Sequence, residues 1–284
     1  MVLFIQPENP LPGQDQLDHV VGTISQKTLF HWGGGFDSSP PLSEPLVTDR
    51  PDFTEASSTV GRGVSQLEFG YTYSYNSDEG DGGIAHSIGE PLLRHGLYED
   101  WLELRVGLSP LQESARVQGV KRKADGFEDL YLGLKIGLTP QEEFLPEMAL
   151  IPQMTIPTGS DDFTDEKVLP GANWIYGWEL NEIFSTAGST QFNISVDETS
   201  GSRYTEWAQS WTVATSLSES LGMYTEWYAL FPDNAETAQV EHYLNGGFTF
   251  LLNDDLQIDI RTGTGINGNA DDFFAGIGMS IRFP

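Results

Sequence analysis

The chain has 284 residues, with 14 Lys or Arg against 42 Asp or Glu, a formal net charge of -28 at pH 7 and no cysteine. This acidity argues against nucleic acid as a partner, because phosphate binding needs clustered basic side chains. The missing cysteines exclude disulfides and thiolate metal sites. No run of 18 apolar residues occurs, so the sequence predicts no transmembrane helix.

The amino-terminal segment, residues 1–47, is predicted to be mostly disordered and to precede a single β-barrel domain over residues 48–284. It is rich in Pro, Gly, Ser and Asp, a composition that buries too little apolar surface to fold alone. Met1–Gln6 holds four apolar residues and no Lys or Arg, which falls short of a secretory signal. If the chain is exported, we expect a displaced start or a leader absent from this sequence.

From residue 66 onward, apolar residues recur at every second position, which is the period of a strand and not of a helix. The first strand, near 66–75, has one aromatic and aliphatic face and one polar face. The second, near 84–94, contains Gly89 and Pro91, which predict a bulge that resets its phase. The sequence therefore does not assign which side chains of this strand, including that of Arg94, face inward.

Ten further strands are predicted, each about ten residues long, as a tilted membrane strand requires. Short turns at 218–220 and 253–255 contrast with longer connections at 110–126, 158–170 and 231–238, as in barrels with periplasmic turns and external loops. We predict an all-β fold, a single up-and-down antiparallel transmembrane β-barrel of about 12 strands in the bacterial outer membrane. The ten strands lie near 102–108, 129–138, 148–157, 173–180, 192–196, 207–217, 221–231, 248–252, 256–261 and 273–283.

Five sequence blocks occur in order along most of the chain: VTDRPDFTE, LEFGYTYSY, LLRHGLYEDWLELRVG, IPTGSDD and ADDFFAGIGMSIRF. From residue 47 onward the chain resembles the outer-membrane transporter family named for the meta-pathway of phenol degradation (MetA-pathway phenol degradation family). The resemblance implies a β-barrel of a Gram-negative bacterium that passes small molecules, aromatic ones among them. It implies no catalytic residue.

Charged and polar residues on the inward face of the predicted strands are the pore-lining candidates. A charge on the lipid face near the midplane costs about 2 to 4 kcal/mol, so inward placement is expected. Because the first and last strands must pair, Glu68 and Arg282 are expected neighbours, and Lys135 is expected beside Glu103 or Arg105. The candidates are Glu68, Glu103, Arg105, Asp129, Tyr131, Lys135, Glu179, Glu226, Asp259, Arg261 and Arg282.

Two roles are open for these charges: a network that fills a narrow lumen, or a constriction that selects solutes by sign. The predicted function is a passive channel without cofactors, metal sites or catalytic residues. Its expected partners are outer-membrane lipid, a small-molecule permeant and the barrel-assembly machinery, which would recognise the carboxyl-terminal strand.

Two alternatives to a channel are a structural barrel with a blocked lumen and a phospholipase-like hydrolase within the barrel wall. Hydrolysis would require a serine and a histidine with an orienting polar residue. His86 beside Ser87 and His242 near Asn245 are the available pairs, and neither forms a recognisable motif.

Overall fold

The computed structural model describes residues 38–77, 82–117, 120–197 and 199–284, with backbone alone for 115–117 and 120–121. The predicted disorder of residues 1–37 lies outside these ranges. Within them, no helix is long and apolar enough to cross a membrane.

The strands, in chain order, are β1 (Ser65–Asn76), β2 (Gly83–Gly96), β3 (Leu102–Gly107), β4 (Pro110–Val117), β5 (Val120–Phe127), β6 (Leu130–Thr139), β7 (Glu147–Ile156), β8 (Leu169–Glu179), β9 (Phe184–Val196), β10 (Arg203–Ser218), β11 (Leu221–Asp233), β12 (Glu241–Asn253), β13 (Leu256–Gly265) and β14 (Phe273–Phe283).

The strands form one closed antiparallel barrel whose wall has twelve members, as the sequence predicted. β4 and β5 form a hairpin that extends the wall beyond β3 and β6. The first half of β2, from Gly83 to Ser87, pairs with β4, and its second half, from Leu92 to Gly96, pairs with β3. Closure comes from β1, which pairs with β2 on one side and with β14 on the other. The last pairing is continuous from Ser65 opposite Phe283 to Tyr75 opposite Phe273, so no sheet edge remains open at this seam.

Burial is inverted relative to a soluble protein. The largest fully buried side chains include Arg94, Arg105 and Lys135, each 0% exposed, whereas Trp174 is 44% and Ile277 54% exposed. Alternation within each strand produces this pattern, because successive side chains point to opposite faces of the wall. Charged groups therefore occupy the lumen, and an apolar surface covers the outside.

The predicted bulge in β2 is present. The register with β1 shifts between Glu68 and Gly70, and on the β2 side Gly89 and Glu90 have positive φ angles of 84° and 40°. The extra residue lets the strand pass Pro91 without losing its pairing further along. Beyond the bulge, Arg94 lies opposite Gln66 and enters the lumen fully buried, which resolves the doubt over its direction.

The two ends of the barrel differ in their connections. β10 and β11 are joined through Glu219 and Ser220, and β12 and β13 through Asp254 and Asp255. At the opposite end, residues 157–168 and 234–240 form longer connections. Short periplasmic turns and long external loops are the usual arrangement in this class of fold, and both the first residues of β1 and the end of β14 lie at the short-turn end.

Candidate functional site

A stretch that precedes β1 lies inside the barrel; we call residues 47–60 the lumen segment. At its start, the Leu46 amide donates to the carbonyl of Asp254 (2.7 Å) in a periplasmic turn. At its end, the Val60 amide donates to Glu103 (2.9 Å) near the periplasmic end of β3. Between these points Phe53 stacks on Tyr228, with ring centroids 4.5 Å apart. The segment therefore enters from the periplasmic end, reaches the middle of β11 and returns.

Residues 38–47, which the sequence assigned to the mostly disordered segment, make defined contacts at the periplasmic rim. Ser38 accepts a hydrogen bond from the Thr59 amide (3.0 Å) through its carbonyl. The guanidinium of Arg282 donates to the carbonyl of Glu44 (2.9 Å). These contacts fix the chain where it enters and leaves the lumen.

Asp49 is the main electrostatic anchor of the lumen segment. Its carboxylate meets Lys135 Nζ at 2.8 Å and Arg94 Nε at 3.2 Å, and it also contacts the guanidinium of Arg105. It further accepts the amide of Ala56 at 2.9 Å, which closes the segment into a compact loop. Three cations from three wall strands thus converge on one carboxylate of the segment.

The wall alone does not balance these cations. Its buried acids at this level are Glu68, which meets Arg94 at 3.1 Å, and Glu103, which meets Arg94 at 2.8 Å and Arg105 at 3.2 Å. Buried charges are tolerated only when they are paired and hydrogen-bonded. Asp49 supplies a third negative charge and Glu55, which also contacts Arg105, supplies a fourth, so these wall cations are neutralised only with the lumen segment in place.

A second anchor lies next to the first, on the side of β13. Arg50 meets Glu90 at 2.7 Å and Asp259 at 3.4 Å, and Arg261 donates to the carbonyl of Pro51 (2.9 Å). Glu90 reaches Arg50 from the bulge of β2. The bulge therefore has a structural role, because it presents a carboxylate to the lumen segment.

A third anchor holds the returning half of the segment. Glu226 of β11 accepts the amides of Phe53 and Thr54, each at 2.7 Å. The Thr54 hydroxyl also lies 2.6 Å from that of Ser210 in β10. Asn173 of β8 donates to Glu55 at 3.0 Å, so contacts of this half extend from β8 to β11.

Most predicted pore-lining residues thus lie in the lumen and contact the lumen segment or one another. Lys135 is paired across the strands with Glu103, as expected, although its amine contacts Asp49. The expected contact between Glu68 and Arg282 is wrong. Strand register places Gln66 opposite Arg282, and the Arg282 guanidinium instead meets Asp255 at 2.7 Å at the periplasmic rim.

The remaining candidates lie toward the two ends. Tyr131 donates to Gln153 at 3.1 Å inside the lumen. Asp129 accepts the amides of Gly159 (2.9 Å) and Asp165 (3.1 Å), and so fastens an external loop over the mouth. Glu179 is exposed at the periplasmic end of β8. Asp129 and Glu179 therefore mark the external and periplasmic mouths.

Two cavities flank the lumen segment. On the external side, spaces of about 360 and 390 Å³ share the lining residues Glu55, Glu90, Leu92 and Tyr131, and we call them together the outer vestibule. On the periplasmic side, a space of about 490 Å³ reaches Glu179 and is called the inner vestibule. The lumen segment therefore has unfilled space on both its external and its periplasmic side.

Of the histidines in the described ranges, His86 and His242 contact aromatic rings. His86 Nδ1 lies 2.8 Å from the Tyr71 hydroxyl, and the His242 ring stacks on Trp227. Within the described part of the chain, a serine hydroxyl contacts an imidazole at Ser65 and His95, 2.9 Å apart. No carboxylate contact with this imidazole is found there, whereas triad chemistry needs an orienting acid.

The sequence did not reveal that Asp49, Arg50 and Glu55 belong to the lumen, because a non-strand segment has no alternation to read. A usable signal was nevertheless present. Arg94, Arg105 and Lys135 outnumber the inward acids at their level, which requires an additional anion from outside the wall.

The closed wall, the apolar exterior and the charged lumen define an outer-membrane β-barrel. The chain belongs to the family described as "Putative MetA-pathway of phenol degradation", whose model matches residues 48–283. The resemblance noted in the sequence is thereby confirmed. No curated protein sequence matches the chain.

Solved structures share the fold at low sequence identity. An outer membrane channel from Pseudomonas putida F1 superposes with a TM-score of 0.61 and 13% identity, covering 86% of this chain and 99% of that one. The translocator domain of the autotransporter NalP from Neisseria meningitidis gives 0.52 and 10% identity, covering 78% and 89%. The transport unit of the autotransporter AIDA-I from Escherichia coli gives 0.51 and 9%, with the same coverage.

Proposed function

We propose that this protein is a passive channel for small solutes across the outer membrane, narrowed by its own lumen segment. The observation that carries the proposal is the pair of vestibules, one open to each end of a sealed wall. The wall leaves no route for a solute except through the lumen. The family and the shared fold support the same class of function.

The permeant we propose is small, uncharged and partly apolar, with aromatic molecules included. Phe53, Tyr228 and Tyr243 form a stack inside the lumen, with successive ring centroids 4.5 and 4.6 Å apart, and such faces suit planar apolar molecules. The basic groups predicted to attract anions are already engaged: Arg105 and Lys135 both contact Asp49. Selection by charge sign is therefore not the role we assign to them.

We further propose that the protein has no enzymatic activity and that the barrel-assembly machinery recognises β14, which closes the wall against β1 and ends at Phe283. A barrel with a permanently blocked lumen is the competing function, and the lumen segment favours it. The two differ in one measurable property, the flux of solute.

Liposome swelling separates them. Purified protein is reconstituted into vesicles that are diluted into isotonic solutions of uncharged solutes of increasing size. A channel gives swelling rates that rise with the amount of protein and fall as solutes grow, and protein unfolded before reconstitution gives none. A folded, inserted barrel that produces no swelling with any solute would exclude the channel.

A further inference from the structure

The returning half of the lumen segment, residues 54–58, runs along the inside of β8. Glu55 accepts a hydrogen bond from Asn173 at 3.0 Å. Two residues further on, the Ser57 hydroxyl lies 3.6 Å from the position of a Cβ at Gly177. Ile175 lies between these two contacts on the same inward face, so Ala56 passes at its level.

The inner face of the wall along residues 54–58 is mostly apolar and inaccessible to solvent. Strand register places Ala149, Ile175 and Ser189 side by side across β7, β8 and β9, with Ile151 one inward position along β7. All four are 0% exposed. The row continues to Ser210 of β10, whose hydroxyl bonds to Thr54 at 2.6 Å. The segment is thus fastened over the end of an aliphatic patch that no solvent reaches.

The two vestibules meet this patch from opposite sides and share no lining residue. On the β9 wall, the outer vestibule is lined by Gln191 and the inner vestibule by Ser185 and Ala187. On the β8 wall, the corresponding residues are Asn173 and Gly177. The aliphatic patch and residues 54–58 are what lies between the two spaces.

We infer that the permeation route runs along the β7–β9 wall and that its narrowest point is a septum formed by Ala149, Ile151 and Ile175 against residues 54–58. This inference rests on the proposed channel function and specifies its constriction. An apolar constriction passes hydrated ions only slowly, because ions lose water there without gaining a polar partner. The septum therefore favours uncharged solutes.

The other side of the segment is a poorer route. Around Asp49, the side chains of Glu68, Arg94 and Glu103 are 0% exposed and mutually bonded. Opening that side would separate buried ion pairs, which is strongly unfavourable. The aliphatic patch itself forms no charged contact, and the charged groups that hold residues 54–58, Arg105 on Glu55 and Lys135 on the Ala56 carbonyl (2.7 Å), lie on the opposite side of the segment.

The test uses the natural absence of cysteine from the chain. Gln191→Cys reports on the outer vestibule and Ser185→Cys on the inner one; the two lie on the same face of β9, about 20 Å apart along the strand. A small charged thiosulfonate is applied to intact cells of a host without general porins, and unreacted thiols are then counted after denaturation. We expect Gln191→Cys to react in intact cells, and Ser185→Cys to react only after the outer membrane is permeabilised.

The septum is then opened. Adding Ile151→Ala with Ile175→Ala should make Ser185→Cys reactive in intact cells, whereas Leu150→Ala, on the lipid side of the same strand, should not. Heat-modifiable migration verifies that each variant is folded. Reaction of Ser185→Cys in intact cells behind the native septum, or continued protection behind the opened one, would overturn the inference. The labelling experiment tests the septum without a measurement of solute flux. Liposome swelling tests the proposed channel function separately, so a failure of one is distinguished from a failure of the other.

Discussion

At the scale of single residues, Asp49 is the side chain on which the lumen contacts most depend. It neutralises a wall site that holds three cations and only two acids. Asp49→Asn keeps the shape but removes the charge, so we expect a loss of about 3 to 5 kcal/mol in the free energy of unfolding, as for other broken buried pairs. Denaturant unfolding in lipid vesicles measures this loss.

The matched control is Asp255→Asn. Its carboxylate also pairs with an arginine, Arg282 at 2.7 Å, but its side chain is 45% exposed. Solvent-exposed pairs contribute about 1 kcal/mol or less. Equal losses for Asp49→Asn and Asp255→Asn would show that the lumen segment is not anchored by this charge cluster.

Asp197, outside the membrane-spanning strands, links two external loops. Hydrogen bonds from the Thr237 amide and hydroxyl and from the Ser200 amide hold its pKa well below the ordinary value for Asp. Because the pKa of Asp197 is lower in the folded state than in the unfolded state, its carboxylate stabilises the fold fully at pH values above the unfolded-state pKa, about 3.9. This stabilisation is lost as the pH falls through the folded-state pKa. Loop protection from hydrogen exchange should therefore decrease below about pH 4.

Asp197→Asn is the reference for that measurement. It should lower the protection of the Thr237 and Ser200 amides near neutral pH and remove the specific loss on acidification. Protection in the wild type that stays constant relative to the variant across this pH range would show that the carboxylate does not link the loops.

At the scale of elements, the bulge of β2 joins backbone geometry to the lumen. Gly89 has φ 84°, a region that costs a residue with a Cβ about 1 to 2 kcal/mol. Gly89→Ala should lower stability by that amount and loosen the contact of Glu90 with Arg50. Gly268→Ala, where a Cβ meets nothing within 4 Å, should be nearly neutral. Calorimetry of both variants tests this prediction. Equal melting temperatures for Gly89→Ala and Gly268→Ala would contradict it.

Most strands and their directions were predictable because alternation is local: the leucine face of β6 and the closing pattern of β14 need no knowledge of the rest of the chain. The exception is the hairpin of β4 and β5, which lies where the sequence predicted a long connection at 110–126. The bulge was predictable from Gly89 and Pro91. Contacts between charges were less predictable: the register places Gln66 opposite Arg282, two positions from the expected Glu68, and the guanidinium pairs with Asp255. The path of residues 47–60 depends on long-range ion pairs, which no periodicity encodes.

At the scale of the whole molecule, the barrel and its lumen segment are one system. At the level of Asp49 the wall holds three buried cations against two buried acids, and the segment that precedes the wall supplies the missing negative charge. The segment narrows the lumen, and on the proposed route the aliphatic patch separates the two vestibules. Conduction should therefore be small in the wild type and limited at the septum.

Single-channel recording in planar bilayers tests this account most directly. The wild type should give small discrete conductance steps, the variant with Ile151→Ala and Ile175→Ala larger ones, and Leu150→Ala steps equal to those of the wild type. An absence of steps from all three proteins, each shown to be a folded and inserted barrel, would contradict the account.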